Sequence, residues 1–138
     1  MSNLKTWQNY KEGLEIKWSF TFSYEDMNLF AQLSGDHNPL HSDTNFAKSK
    51  GYKSPLIYGL LLSSQTSRLI GEELPDNNCI LTGISLDFLN PAFPNDKLFF
   101  NATLIHKSNS SFSLEFNCKI SSDKKILTRG KVYAIWRI

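Results

Sequence analysis

Residues 55–74, PLIYGLLLSSQTSRLIGEEL, decide the fold. Leu60, Leu61, Ser64, Ser67, Arg68 and Gly71 return at turn-by-turn spacing, which predicts a helix across the whole run. No other stretch of the chain is so strong a helical candidate. Gly59, Ser63, Ser64, Ser67 and Gly71 are small, which lets a flat surface approach closely. That surface follows directly in the chain. Beyond Pro75, residues 80–89 (ILTGISLDFL), 98–106 (LFFNATLIH), 112–120 (FSLEFNCKI) and 125–138 (KILTRGKVYAIWRI) read as strands. Breaks fall at 90–96, 108–111 and 121–124, too short for crossover helices, so the sheet is antiparallel.

Upstream of the long helix, residues 16–22 (IKWSFTF) alternate, with Ile16, Trp18, Phe20 and Phe22 on one side, and form a first strand. Ser23 then caps a helix, with Asp26 in its first turn and Met27, Phe30, Ala31 and Leu33 as its apolar face. Gly35 ends it in the left-handed position. Asp43 caps a short helix over 44–50, which stops at Gly51. Residues 1–13 read as a polar lead-in. The expected architecture is α+β: one domain over residues 1–138, an antiparallel sheet curled around a long central helix.

Bulk properties narrow the function classes. The chain has 138 residues, 41% of them hydrophobic, enough for one core. Fifteen basic against thirteen acidic residues leave +2, and the two signs are interspersed, which argues against nucleic acid; a few well-placed lysines still suit a phosphate on a small ligand. The longest apolar stretch, around 55–62, is too short to span a membrane, and the polar N-terminus lacks the apolar core of a signal peptide, so the expected location is the cytoplasm. Cys79 and Cys118 sit in apolar surroundings and read as buried free thiols; neither has a CxxC neighbour, so zinc is not indicated.

The chemistry concentrates in Ser34-Gly35-Asp36-His37-Asn38-Pro39-Leu40-His41-Ser42-Asp43. A carboxylate and an imidazole lie five apart in a turn stiffened by Pro39, a setting that suits a general acid/base pair. The same residues also suit an ordinary turn aspartate and a surface histidine. His37 and His41 would share a face as metal ligands on a helix, but Pro39 lies between them and breaks it. Gly59 stands near the start of the long helix, where free backbone amides favour negative charge; it fits either an oxyanion site or close packing on the sheet.

FAQLSGDHNPLHSD (residues 30–43), followed by SPLIYGLLLSS (54–64), resembles the MaoC-like dehydratases, which include the (R)-specific enoyl-CoA hydratases. The pattern is Ser-Gly-Asp-x-Asn-Pro-x-His before a Pro-x-x-His-Gly helix start; FLNPAF (88–93) with Asp96 extends it, and the resemblance covers roughly residues 13–107. It implies a hotdog fold, a homodimer or higher homo-oligomer, and a lyase of fatty acid metabolism. That lyase would hydrate trans-2-enoyl thioesters, or dehydrate 3-hydroxyacyl thioesters. Coenzyme A or acyl carrier protein would enter only as part of the substrate, with no cofactor or metal. By position, Asp36 and His41 match the catalytic dyad, Gly59 the glycine whose amide polarises the thioester carbonyl, Asn38 a loop-holding asparagine and Ser67 a serine near the dyad. A hotdog acyl-CoA thioesterase and a non-catalytic acyl-thioester-binding protein are the competing readings. The chain departs from the pattern at Tyr58, where histidine is usual, and at Asn95, where glycine is common.

Overall fold

The computed structural model describes residues 6–137; the first residues of the lead-in and the last of the final predicted strand lie outside these. Strand β1 (Glu15–Phe20) is followed by α1 (Tyr24–Ser34), a single 3₁₀ turn (Pro39–His41), α2 (Thr44–Ser49) and α3 (Gly59–Arg68), which runs on into a π-helical turn (Leu69–Glu73). Strands β2 (Cys79–Phe88), β3 (Leu98–Ser108), β4 (Ser113–Ser121) and β5 (Ile126–Trp136) complete the chain. All pairings are antiparallel, in the order β1-β3-β4-β5-β2, which leaves β1 and β2 at the edges.

Period-two patterning sets the sheet's inner face. Leu98, Phe100, Ala102 and Leu104 of β3, Leu114, Phe116, Cys118 and Ile120 of β4, and Val132, Ala134 and Trp136 of β5 are all buried. They form one cluster with Leu61 and Leu62 of α3 and with Leu69 and Ile70 of the turn beyond it. At this seam Trp18 Nε1 donates to Gln65 Oε1 at 2.9 Å. Gly130 of β5 lies so close to β2 that a Cβ would strike the Ser85 carbonyl, which is why two strands can meet there only through glycine.

Caps fall where side-chain chemistry demands. Ser23 and Asp26 form a reciprocal capping box, Gly35 closes α1 at φ 77°, and Asp43 Oδ1 accepts from the Phe46 amide. Asn95 takes φ 70°, a conformation asparagine tolerates better than most residues, and its amide donates to the Phe22 carbonyl at 2.7 Å. Both cysteines are free; Cys118 is buried and Cys79 half-buried.

Three expectations are corrected. The long helix starts at Gly59, not at residue 55. The Leu56 amide donates to the Leu40 carbonyl and the Ile57 amide to Ala92, so these donors serve other segments and the stretch runs extended. The lead-in is not merely polar. Trp7 and Tyr10 are core residues, with Trp7 against Phe112 and Trp136 and with Lys107 Nζ donating to the carbonyls of Trp7 and Tyr10 at 2.8 and 2.7 Å. Leu33, assigned to the apolar face of α1, is 87% exposed, because α1 touches the core mainly through Met27 and the half-buried Phe30 and Ala31. No helix among the described residues is long and apolar enough to cross a membrane.

Candidate active site

The loop between α1 and α2 is built from its own side chains. The Ser34 hydroxyl accepts from the Asp36 amide, Asp36 Oδ1 from the Asn38 amide at 3.0 Å, and Asn38 Oδ1 from the Leu40 amide at 2.9 Å. These successive turns lead into the 3₁₀ turn that Pro39 opens. Asn38 thus caps the turn carrying His41. His37 and His41 do not share a helix face, because that single turn includes only His41.

His41 is oriented by main chain. Its Nδ1 lies 2.8 Å from the Leu56 carbonyl oxygen. A carbonyl only accepts, so Nδ1 carries the proton, and Nε2 is the basic nitrogen of the neutral ring. One face of the imidazole lies against Tyr58, with ring centroids 3.9 Å apart and planes at 24°. The Tyr58 hydroxyl in turn donates to the Asp36 carbonyl at 2.8 Å. Asp36 and His41 share no direct hydrogen bond among those of the described residues; Tyr58 touches both. Tyr58 is buried, and Phe30 packs against it at 4.7 Å between centroids. Burial first, and the Asp36 charge second, push the Tyr58 phenol above its ordinary pKa, so it stays a neutral donor. This function of Tyr58 was not read from the sequence: its partners lie 22 and 17 positions away (58 − 36 and 58 − 41), with no local pattern to mark them.

Tyr58 is also the N-cap of α3, and it makes no side-chain cap bond. The first hydrogen bond of the helix runs from the Leu62 amide to the Tyr58 carbonyl, so the Gly59 amide lies among the donors that a helix leaves free. A Cβ on Gly59 would come within 3.0 Å of the Phe88 ring. Gly59 therefore serves close packing, and it lines a cleft as well. That cleft, of about 350 Å³, has His41 and Gly59 on one side and Leu62, Phe88 and Leu89 as apolar wall. A basic imidazole nitrogen, free amides and an apolar groove are the parts needed to polarise a carbonyl, move a proton and hold an acyl chain. Neither Asp36 nor Ser67 lines the cleft: Asp36 is exposed in the loop beside it and reaches His41 only by way of Tyr58, and Ser67 is exposed farther along α3. Among the described residues no group of three His, Cys, Asp or Glu side chains is placed to hold a metal ion.

Comparison with known proteins bears on the same residues. The chain is 37% identical over 91 residues to an (R)-specific enoyl-CoA hydratase of Aeromonas caviae, covering 66% of this chain and 68% of that protein. It is 29% identical over 129 residues to a mitochondrial 3-hydroxyacyl-[acyl-carrier-protein] dehydratase of Arabidopsis thaliana, covering 91% and 76%. Its structure superposes on an (R)-hydratase from A. caviae involved in PHA biosynthesis with TM-score 0.89 and 27% identity, over 94% of this chain and 99% of that one. The sheet wrapped around α3 is thus the hotdog fold. The MaoC-like domain model matches residues 6–122, a span holding the Asp36–His41 loop, Gly59 and most of the sheet behind them, and the chain belongs to that family.

Proposed function

We propose that this chain hydrates trans-2-enoyl thioesters to (R)-3-hydroxyacyl thioesters and catalyses the reverse dehydration. The observation that carries the reading is the His41 Nδ1 bond to the Leu56 carbonyl, which leaves Nε2 as the base in the cleft that Gly59 also lines. The thioester oxygen accepts from the Gly59 amide, which draws electron density from C3. Asp36, with one carboxylate oxygen on the Asn38 amide, holds the water. His41 Nε2 takes a proton from that water as its oxygen bonds to C3. The C2–C3 π pair moves to C2 and the carbonyl, giving an enolate held at Gly59. The imidazolium then returns the proton to C2. Acid/base catalysis and carbonyl polarisation contribute about 10²–10⁴ each. The step needs a base, an acid and amide donors, all of which the chain's own residues supply.

The same reading includes a homodimer joined through β2. This edge strand and the residue after it expose Ile80, Leu81, Ile84, Phe88 and Leu89, and a bare apolar edge of that kind favours pairing with a second copy. Phe88 and Leu89 also line the cleft, so in this reading the site lies beside the interface.

The test follows the loss of enoyl absorbance with crotonyl-CoA, and free thiol release in parallel. Wild-type protein should consume the enoyl group without releasing thiol. His41→Ala and Asp36→Ala should stay folded and lose about 10²-fold or more in kcat. Near-normal hydration by both variants would sink the dyad, and thiol release by the wild type would favour a thioesterase.

A further inference from the structure

The outer face of the sheet, the side away from α3, carries a groove that the hydration reading leaves unused. It holds about 470 Å³, runs across β3, β4 and β5 to Asp87 of β2, and shares no residue with the cleft containing His41 and Gly59. Strand register gathers its polar side chains. Asn101 stands opposite Lys119, Lys119 opposite Arg129, and Arg129 opposite Asp87. In the next row Thr103 stands opposite Asn117, and Asn117 opposite Lys131. These positions alternate with the buried Ala102, Cys118 and Val132, so they point away from the core. Lys119 beside Arg129 is a costly choice, because like charges directly opposite in an antiparallel pair destabilise it. Neighbouring carboxylates are engaged elsewhere: Glu15 pairs with Lys17 at 3.0 Å and Glu115 with Lys131 at 3.3 Å. Among the described residues neither Lys119 nor Arg129 is in an ion pair, and Asp87 forms none with Arg129. Folded chains keep such a local conflict chiefly where a site uses the groups.

We propose that this groove binds a phosphorylated sugar, with the phosphate bridging Lys119 and Arg129 and the sugar hydroxyls meeting Asn101, Thr103 and Asn117. A phosphate dianion between the two cations replaces their repulsion with charge-assisted hydrogen bonds to both. The guanidinium supplies a planar fork and the ammonium a point charge, and each suits phosphate oxygens. Lys131 adds a third cation, so the groove lining carries an excess of two positive charges, 3 − 1, after Asp87 is counted. Asparagine amides and a threonine hydroxyl offer both donors and acceptors, which is what sugar hydroxyls require. Among the described residues no aromatic ring lines the groove, so the base of a nucleotide has no platform on which to stack. The volume falls within the range of small-molecule sites.

Calorimetric titration of the full chain with glucose 6-phosphate tests this. Binding should be detectable at millimolar ligand and should weaken with added salt. Glucose should not bind, and inorganic phosphate should bind more weakly than the sugar phosphate. Lys119→Gln should weaken binding about tenfold. Without ligand, its Tm should equal or exceed that of the wild type, because the opposed like charges are gone. Arg129→Lys keeps the charge and loses the fork, so it should weaken binding severalfold with Tm unchanged. Lys48→Gln, in the last turn of α2, should bind as the wild type does. Failure of glucose 6-phosphate to bind the wild type would overturn the proposal. Unchanged binding in both groove variants would overturn it as well. Equal binding of inorganic phosphate would remove the sugar from it, and tighter binding of adenosine 5′-monophosphate would show a nucleotide site instead; either result defeats the proposal as stated. The hydration assay is separate, so its outcome leaves this test unaffected.

Discussion

Tyr58→Phe removes one oxygen atom from the site and leaves the ring. The lost contact is the 2.8 Å hydrogen bond to the Asp36 carbonyl. A hydrogen bond of this kind contributes about 0.5–1.5 kcal/mol net. Asp36 is exposed, so water can take over its carbonyl, and the cost belongs at the low end, about 0.5–1 kcal/mol. For a chain of this length that lowers Tm by roughly 2–4 °C. The 3.9 Å stack on His41 and the His41–Leu56 bond do not involve the hydroxyl and should persist. The Asp36 loop then loses its tie to α3 through Tyr58, while the base stays in place. A displacement of the loop by a fraction of an ångström should cost about tenfold in kcat, with KM little changed. Tyr58→Ala also removes the ring that contacts Phe30 and His41. It should cost about 3–5 kcal/mol and push kcat lower still. Thermal unfolding and enoyl absorbance on the same preparations read both effects. A Tyr58→Phe variant with wild-type Tm and wild-type kcat would refute the claim that this hydroxyl holds the loop.

Other expectations follow from single contacts. Gly59→Ala puts a methyl within 3.0 Å of the Phe88 ring, which is half-exposed and can swing aside. Tm should therefore shift by only a few degrees while kcat/KM falls about tenfold or more. Gly130→Ala brings a Cβ onto the Ser85 carbonyl and to 2.9 Å from the Leu86 Cα. Backbone cannot swing aside, so β2 must part from β5, at a cost of roughly 3 kcal/mol or more in denaturant unfolding, together with loss of any dimer formed through β2. Asp76 should contribute to acid stability. Burial alone would raise its carboxyl, but hydrogen bonds from Trp136, Tyr10 and Asn78 outweigh that and hold it below the ordinary carboxylate range. A carboxyl depressed in the folded state stabilises above its unfolded pKa and loses that contribution as pH falls through the folded value. Stability of the wild type should therefore drop steeply below about pH 4, and Asp76→Asn should flatten that limb while lowering stability at pH 7.

Most of the sheet was legible because β3, β4 and β5 each have one face against the core. Leu114, Phe116, Cys118 and Ile120 alternate cleanly, and no competing period exists. The caps at Ser23, Gly35 and Asp43 were legible because capping is local chemistry. The start of α3 was not. Residues 55–58 are as apolar as the helix that follows, and only the hydrogen bonds of Leu56 and Ile57 to Leu40 and Ala92 keep them extended. Trp7 and Tyr10 were missed for the opposite reason, since lysine, glutamine and asparagine surround them in the chain and mask two anchors that close one end of the core. In the loop, the identities of Asp36, Asn38 and His41 were readable and their arrangement was not. Their distant partners are a tyrosine far along the chain and a carbonyl oxygen that every residue type possesses.

His41 leans on the carbonyl of Leu56, Tyr58 on the carbonyl of Asp36, the Leu56 amide on Leu40, and the Ile57 amide on Ala92. The struts of the site are main-chain groups, which substitution leaves in place. Substitution at 40, 56, 57 and 92 therefore leaves these bonds in place, and three of the four, Leu56, Ile57 and Ala92, line the cleft; Ile57 and Ala92 are also buried in the core, so changes that conserve volume are the ones tolerated. A scaffold arranged this way can change the acyl groups it accepts by single steps, each viable, and the same positions are the natural ones to diversify in a directed search for new substrates.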